Sequence, residues 1–139
     1  MLVANTALTY SVRTDGRLFI LGTGTATQPN PRHITISRDD RFAYVAFEDG
    51  DNSGGLLLYN IDSSSGELNV PQWVDSEAAG INPGQTVLSP AGDHAYVLAT
   101  GSEVILTFDV STADGRVEIS EVHGLGLAPK HMAPQFVGQ

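Results

Sequence analysis

Apolar and polar residues alternate in short runs along this chain. In Ile34-Thr35-Ile36-Ser37 every second residue is apolar, the period of a strand with one face on a core. Asp15-Gly16, Asp39-Asp40 and Ala91-Gly92 stand between such runs as turn pairs. The pattern predicts strands near 33–37, 42–47, 56–61 and 67–74, and again near 85–89, 94–99, 103–110 and 116–122. Met1 to Thr6 reads as the inside of a strand.

The strands recur as a unit. Pro31, Ser37 and Ala43-Tyr44-Val45 match Pro83, Ser89 and Ala95-Tyr96-Val97 in register. Further along, Leu58-Tyr59-Asn60-Ile61-Asp62 with Ser65-Gly66-Glu67-Leu68 matches Thr107-Phe108-Asp109-Val110-Ser111 with Asp114-Gly115-Arg116-Val117. An earlier copy stands at Thr9-Tyr10-Ser11-Val12 with Asp15-Gly16-Arg17-Leu18, and a further opening at Pro129-Lys130-His131-Met132. The spacing of about 46 to 52 residues is that of a four-stranded propeller blade. The expected fold is therefore all-β: a β-propeller of four-stranded antiparallel blades, with slightly under three blades present. A single β-sandwich is the rival that the matched copies argue against. The blades divide as 1–30 (end of one blade), 31–82, 83–128, and 129–139 (start of another). Tyr10, Tyr59 and Phe108 share one strand position and are expected to pack between blades. Fewer than three blades leave sheet faces uncovered, so a fragment of a longer protein is expected, with self-association through the open faces.

Composition narrows the partners. A net charge of −9 over 139 residues repels phosphate backbones and anionic membranes, so neither nucleic acid nor membrane is an expected partner. No stretch is apolar enough to span a bilayer, and no signal peptide is seen, which points to the cytoplasm. With no Cys, thiol nucleophiles and thiolate metal sites are excluded.

Pro31-Arg32-His33 followed by Arg41-Phe42-Ala43-Tyr44-Val45-Ala46-Phe47-Glu48, then Tyr59 to Gly66, resembles the lactonase family of seven-bladed propellers. That family includes propeller-type 6-phosphogluconolactonases and carboxy-cis,cis-muconate cyclases. The resemblance implies a small-molecule lactone or anionic metabolite as partner and no cofactor. In the cyclising members it implies an Arg in the Pro-Arg-His element and the Glu after Tyr-Val, which fall on Arg32 and Glu48. A second Arg is expected after the second strand of the next blade. Leu98-Ala99-Thr100-Gly101 stands there instead, with Thr100 at the Arg position.

As chemistry, Arg32 can clamp a carboxylate or phosphate with its planar fork, and Glu48 can move a proton. The bland alternative is an ion pair tying two strands. His33 is a third catalytic candidate as a proton carrier, although in this position a bond to neighbouring backbone is the commoner use. Lys130 and His131 repeat Arg32 and His33 one blade on and are candidate substrate-binding residues with Arg32. His94 and His123 read as surface residues, and no His pair has zinc spacing. Asp49 to Gly54 resembles the start of a calcium loop but has Asn60 at the twelfth position, so it reads as a polar loop. Gly22-Thr23-Gly24-Thr25 reads as an inter-blade linker, not a phosphate loop. Ser89 is in no nucleophile elbow, and Trp73 is expected to pack at the end of a fourth strand. Two functions remain: an enzyme handling a sugar or muconate-type lactone, by hydrolysis or cycloisomerisation, in the full-length parent; or a non-catalytic propeller module presenting a binding surface.

Overall fold

The described part of the chain contains strands and no helix. The computed structural model describes all residues except 1, 4, 50–53, 75–80, 128, 134, 136 and 138–139; for residues 2–3 and 70–74 it describes the backbone alone. In chain order the strands are β1 (Leu2–Val3), β2 (Thr6–Val12), β3 (Leu18–Ala26), β4 (Pro31–Ile36), β5 (Phe42–Glu48), β6 (Gly54–Ile61), β7 (Leu68–Val74), β8 (Pro83–Leu88), β9 (His94–Ala99), β10 (Val104–Val110) and β11 (Val117–Gly124). Each pairs antiparallel with its sequence neighbour, giving three sheets, β1-β2-β3, β4-β5-β6-β7 and β8-β9-β10-β11. This is an incomplete β-propeller of four-stranded antiparallel blades.

Local chemistry sets the strand limits. β4 and β8 are edge strands of their sheets, and each starts with a proline, a residue that cannot donate to a ladder and is tolerated there. The first hairpins of the two sheets turn alike: Asp40 N donates to Ser37 O at 3.0 Å and Gly92 N to Ser89 O at 2.9 Å. Asp40 (φ 56°) adopts the left-handed conformation that Gly92 (φ 78°) holds in the next blade, which Asp tolerates better than most residues.

The alternation along β5 sorts the interior into two cores. Phe42, Tyr44 and Ala46, with Leu56 and Leu58 of β6, face the third sheet and pack on Ala95, Val97, Ala99, Leu106 and Phe108. The intervening Ala43, Val45 and Phe47, with Leu57 and Tyr59, turn to the first sheet and pack with its Ala7. The middle sheet is thus covered on both faces. Its tyrosines also cross to the neighbours: Tyr44 Oη donates to Gly115 O at 3.0 Å and Tyr59 Oη to Ala26 O at 2.9 Å. Burial, which disfavours the phenolate, pushes both hydroxyls up to about 12. Arg38 donates to Pro90 O, and Arg41 to Thr112 O and Ala113 O, adding polar ties between the second and third sheets.

Three expectations need adjusting. Gly22 and Gly24 are not a linker: both lie inside β3, at φ 64° and 88°. They accompany a register break opposite Ala7 and Thr9, so this glycine run bends a strand instead of joining blades. The stretch to Thr6 is not one strand; it folds back at Asn5 (φ 66°) between β1 and β2. Tyr10, the repeat partner of Tyr59 and Phe108, pairs with Ile20 in its own sheet and is only half-buried. The side chain of Trp73 and most of the Asp49 to Gly54 loop (residues 50–53) lie outside the described residues.

Candidate functional site

Arg32 enters the sheet as an extra residue. Pro31 pairs with Phe47 and His33 with Ala46, so Arg32 has no direct partner on β5. Such a bulge re-aims a side chain at a strand end, here towards Glu48, the last residue of β5. Arg32 Nε donates to Glu48 Oε2 at 3.0 Å, and Nη2 donates to the same oxygen. Among the described residues Nη1 has no hydrogen-bond partner. The Arg32 side chain is 51% exposed and that of Glu48 only 12%. The carboxylate is therefore mostly enclosed, while about half of the Arg32 side chain stays open to solvent.

Backbone bonds fix the corner. Glu48 N donates to Asn30 O at 3.2 Å, and Asn30 Nδ2 donates to Glu48 O at 3.4 Å. In the third sheet Thr100 N donates to Asn82 O at 3.1 Å. Thr100 is thus the structural counterpart of Glu48, and Asn82 that of Asn30. Asn82, directly before β8, completes the corner from the start of the third sheet. Glu48 presents only acceptors, so the Asn82 amide faces it through nitrogen; Nδ2 then lies 3.0 Å from Oε2 and also reaches Oε1. Pro83 follows directly and crowds Gly54, the cross-strand partner of Glu48: a Cβ on Gly54 would collide with the proline ring. The absence of a side chain at residue 54 lets the Asn82-Pro83 corner settle beside Glu48.

His33 is occupied elsewhere. Its Nδ1 accepts from Thr86 N at 3.3 Å, joining β4 to β8, and burial lowers its basicity below the usual range for His. The matching position one blade on is Gln85. Its Nε2 donates to Met132 O at 2.9 Å and its Oε1 accepts from Met132 N at 2.8 Å. The third residue of each inner strand thus reaches the backbone of the next opening segment. Residues 129–133 carry no strand, and Lys130 and His131 are exposed there; among the described residues neither bonds to Arg32 or Glu48. His94 contacts Asp93 and Asp109, and His123 contacts Glu121, all on the surface.

Sequence reasoning identified the Arg32–Glu48 pair and missed Asn82. The available signal was the repeated Asn-Pro at Asn30-Pro31 and Asn82-Pro83.

Comparison with known proteins agrees with the architecture. The family described as "Lactonase, 7-bladed beta-propeller" matches residues 31–138. A 6-phosphogluconolactonase of Pectobacterium carotovorum is 29% identical over 91 residues, which cover 63% of this chain. The chain spans 26% of that relative's length. The periplasmic gluconolactonase of Pseudomonas aeruginosa superposes with a TM-score of 0.78 at 21% identity, over 92% of this chain and 36% of its own. A functionally unknown protein from Desulfotomaculum acetoxidans gives 0.70 at 26% identity, over 91% and 38%. Among the described residues no helix is long and apolar enough to cross a membrane.

Proposed function

Since the chain belongs to the lactonase family of seven-bladed β-propellers, we propose that it forms part of the substrate wall of a lactone hydrolase acting on a sugar-type lactone. The observation that carries this reading is the half-exposed Arg32 fork, bound to Glu48 on two nitrogens, with Nη1 unpartnered among the described residues. In the proposed reaction Nη1 meets the anionic or polar group of the lactone, and Glu48 accepts a proton from the attacking water. The hydroxyl adds to the lactone carbonyl, the ring C–O bond breaks, and the proton returns to the departing ring oxygen to give a hydroxy acid. The names of the Pectobacterium and Pseudomonas proteins support a sugar lactone over a muconate-type one. Thr100, in place of a second Arg, also speaks against the muconate assignment. Lys130 and His131 would add to substrate binding if the segment that follows Pro129 lines the same wall. His33, with Nδ1 engaged, is a support of β8 in this reading.

A non-catalytic module is the second reading, favoured by Thr100, which puts a neutral hydroxyl where the preceding blade has a carboxylate. The product of the complete reading frame separates the two. Arg32→Lys keeps the charge and loses the fork; it is expected to lower kcat/KM on a sugar lactone by at least about tenfold, with the melting temperature within about 2 °C. Unchanged kinetics would sink the enzymatic reading. We also propose a cytoplasmic location, checked by fractionation, and self-association of the chain through its first sheet. There Val12, Leu18 and Ile20 are exposed and lie on one face by the Val12–Leu18 and Tyr10–Ile20 pairings. Light scattering reads the association.

A further inference from the structure

Asn82 departs from the repeat that it belongs to. Asn30 and Asn82 both precede the proline that opens an inner strand, both hold left-handed backbone (φ 47° and 56°), and both accept a backbone bond at the end of the following second strand, from Glu48, the last residue of β5, and from Thr100, the residue after β9. Their side chains then part. Asn30 Nδ2 stays with the sheet that it leads into, on Glu48 O of β5. Asn82, which leads into β8 of the third sheet, turns its Nδ2 back to the Glu48 carboxylate of the second sheet. A structural repeat with one member turned towards a charged, mostly enclosed group of the preceding sheet marks a task beyond building its own sheet.

We infer that Asn82 is a positioning residue for Glu48, holding the carboxylate so that Arg32 keeps one nitrogen, Nη1, unbonded among the described residues. The inference rests on the reading of Glu48 as the group that moves the proton. The geometry gives the reason. Arg32 Nε and Nη2 both address Oε2, from one side. A carboxylate held from one side can swing about its last torsion; a second donor from another element stops it. Asn82 supplies that donor from the segment leading into β8, while Arg32 sits on β4 and Glu48 on β5. The neutral amide does this without adding charge, whereas a second cation at that place would compete with Arg32 for the carboxylate and for an anionic substrate group.

Two substitutions keep the backbone. Asn82→Gly retains the left-handed conformation and deletes the amide; Asn82→Asp keeps the size and sets an oxygen against the carboxylate. The bond itself is read first, without turnover, by the side-chain amide resonances of Asn82 in the 15N-labelled protein. In the wild type they are expected to be shifted and slow to exchange, and to move to free-amide positions in Glu48→Ala. Amide resonances already at free positions in the wild type would overturn the inference. In the complete protein, Asn82→Gly is expected to lower kcat by about tenfold to a hundredfold, with KM changed by less than about twofold. Asn82→Asp is expected to lose more and to shift the pH profile of kcat. Wild-type kcat and pH profile in both variants would overturn the positioning role. If Glu48→Gln is fully active while the amide signature persists, the bond stands, but the catalytic reading, and the positioning role with it, fails.

Discussion

The second and third blades are written in the same repeat and differ in what surrounds them. In the second, all of Phe42 to Phe47 is buried, because the first sheet covers one face and the third sheet the other. In the third, Ala95, Val97 and Ala99 share the core with the second blade, while Tyr96, the repeat partner of Tyr44, is only half-buried. Equal residues at equal positions therefore carry unequal weight, and what decides the weight is the neighbouring sheet. At the strand ends the blades diverge in chemistry: Glu48 against Thr100, His33 against Gln85, Ile34 against Thr86.

The largest expected effect tests that inequality. Tyr44→Ala removes a fully buried ring and its bond to Gly115 O, and is expected to cost about 3–5 kcal/mol. Tyr96→Ala is expected to cost no more than about half of that, in proportion to its smaller burial. Equal losses in urea titrations would show that the open face of the third blade is covered in solution. Next in size is Thr86→Val. Among the described residues the Thr86 hydroxyl is buried with no partner, whereas Ile34 at the same repeat position has no polar atom to satisfy. The substitution is expected to stabilise the protein by about 1 kcal/mol; a loss of that size would reveal a partner for the hydroxyl.

A smaller effect separates the two inter-blade latches by pH. His33 has a folded-state pKa below its unfolded value of 6.5, so as pH falls the unfolded chain takes up the proton first. The His33 contribution is fully present above about 6.5 and is lost as pH falls from there through the lowered folded value. Protonation also removes the Nδ1 acceptor that meets Thr86 N. The charged groups nearest to it on β4 and β5 are Arg32 and Glu48, themselves paired, and β8 carries none. His33→Gln, which copies Gln85 of the next blade, is expected to flatten stability between about pH 7 and 5. An unchanged slope in that variant would assign the pH dependence elsewhere. Smallest is the turn at Asp62. Its carboxylate accepts from Ser64 Oγ at 2.6 Å and from the backbone of Ser64 and Ser65, and these bonds hold it down at about 2. Because the folded value is depressed below 3.8, its contribution is present above that value and fades as pH falls through about 2. Asp62→Asn is expected to lower stability slightly at neutral pH and to remove this slope from the acid limb, so that variant and wild type converge as pH falls through about 2.

Much of this was legible in the sequence for a definable reason. Strand periodicity and paired turns are local, so the expected 42–47 and 94–99 lie within a residue of β5 and β9. The Arg32–Glu48 encounter was also legible, because antiparallel pairing of adjacent strands brings their ends together. Asn82 was not. Its reach depends on a left-handed turn, on the missing side chain of Gly54 and on the spacing between two sheets, none of which has a period. Gly22-Thr23-Gly24 misled for the opposite reason: glycine marks a break in regular structure without saying whether the chain leaves the strand or only bends within it.

The two-sided burial of β5 and β6 has a consequence for how the chain comes apart. Neither core can be opened without disturbing a strand that also closes the other, since successive residues of one backbone belong alternately to each. The blades are therefore not independent beads that melt one at a time from an end. Amide protons of β5 and β6 should exchange only through the global opening event, with matching free energies on odd and even residues, while β3 and β11, with their many exposed residues, exchange earlier by local fraying.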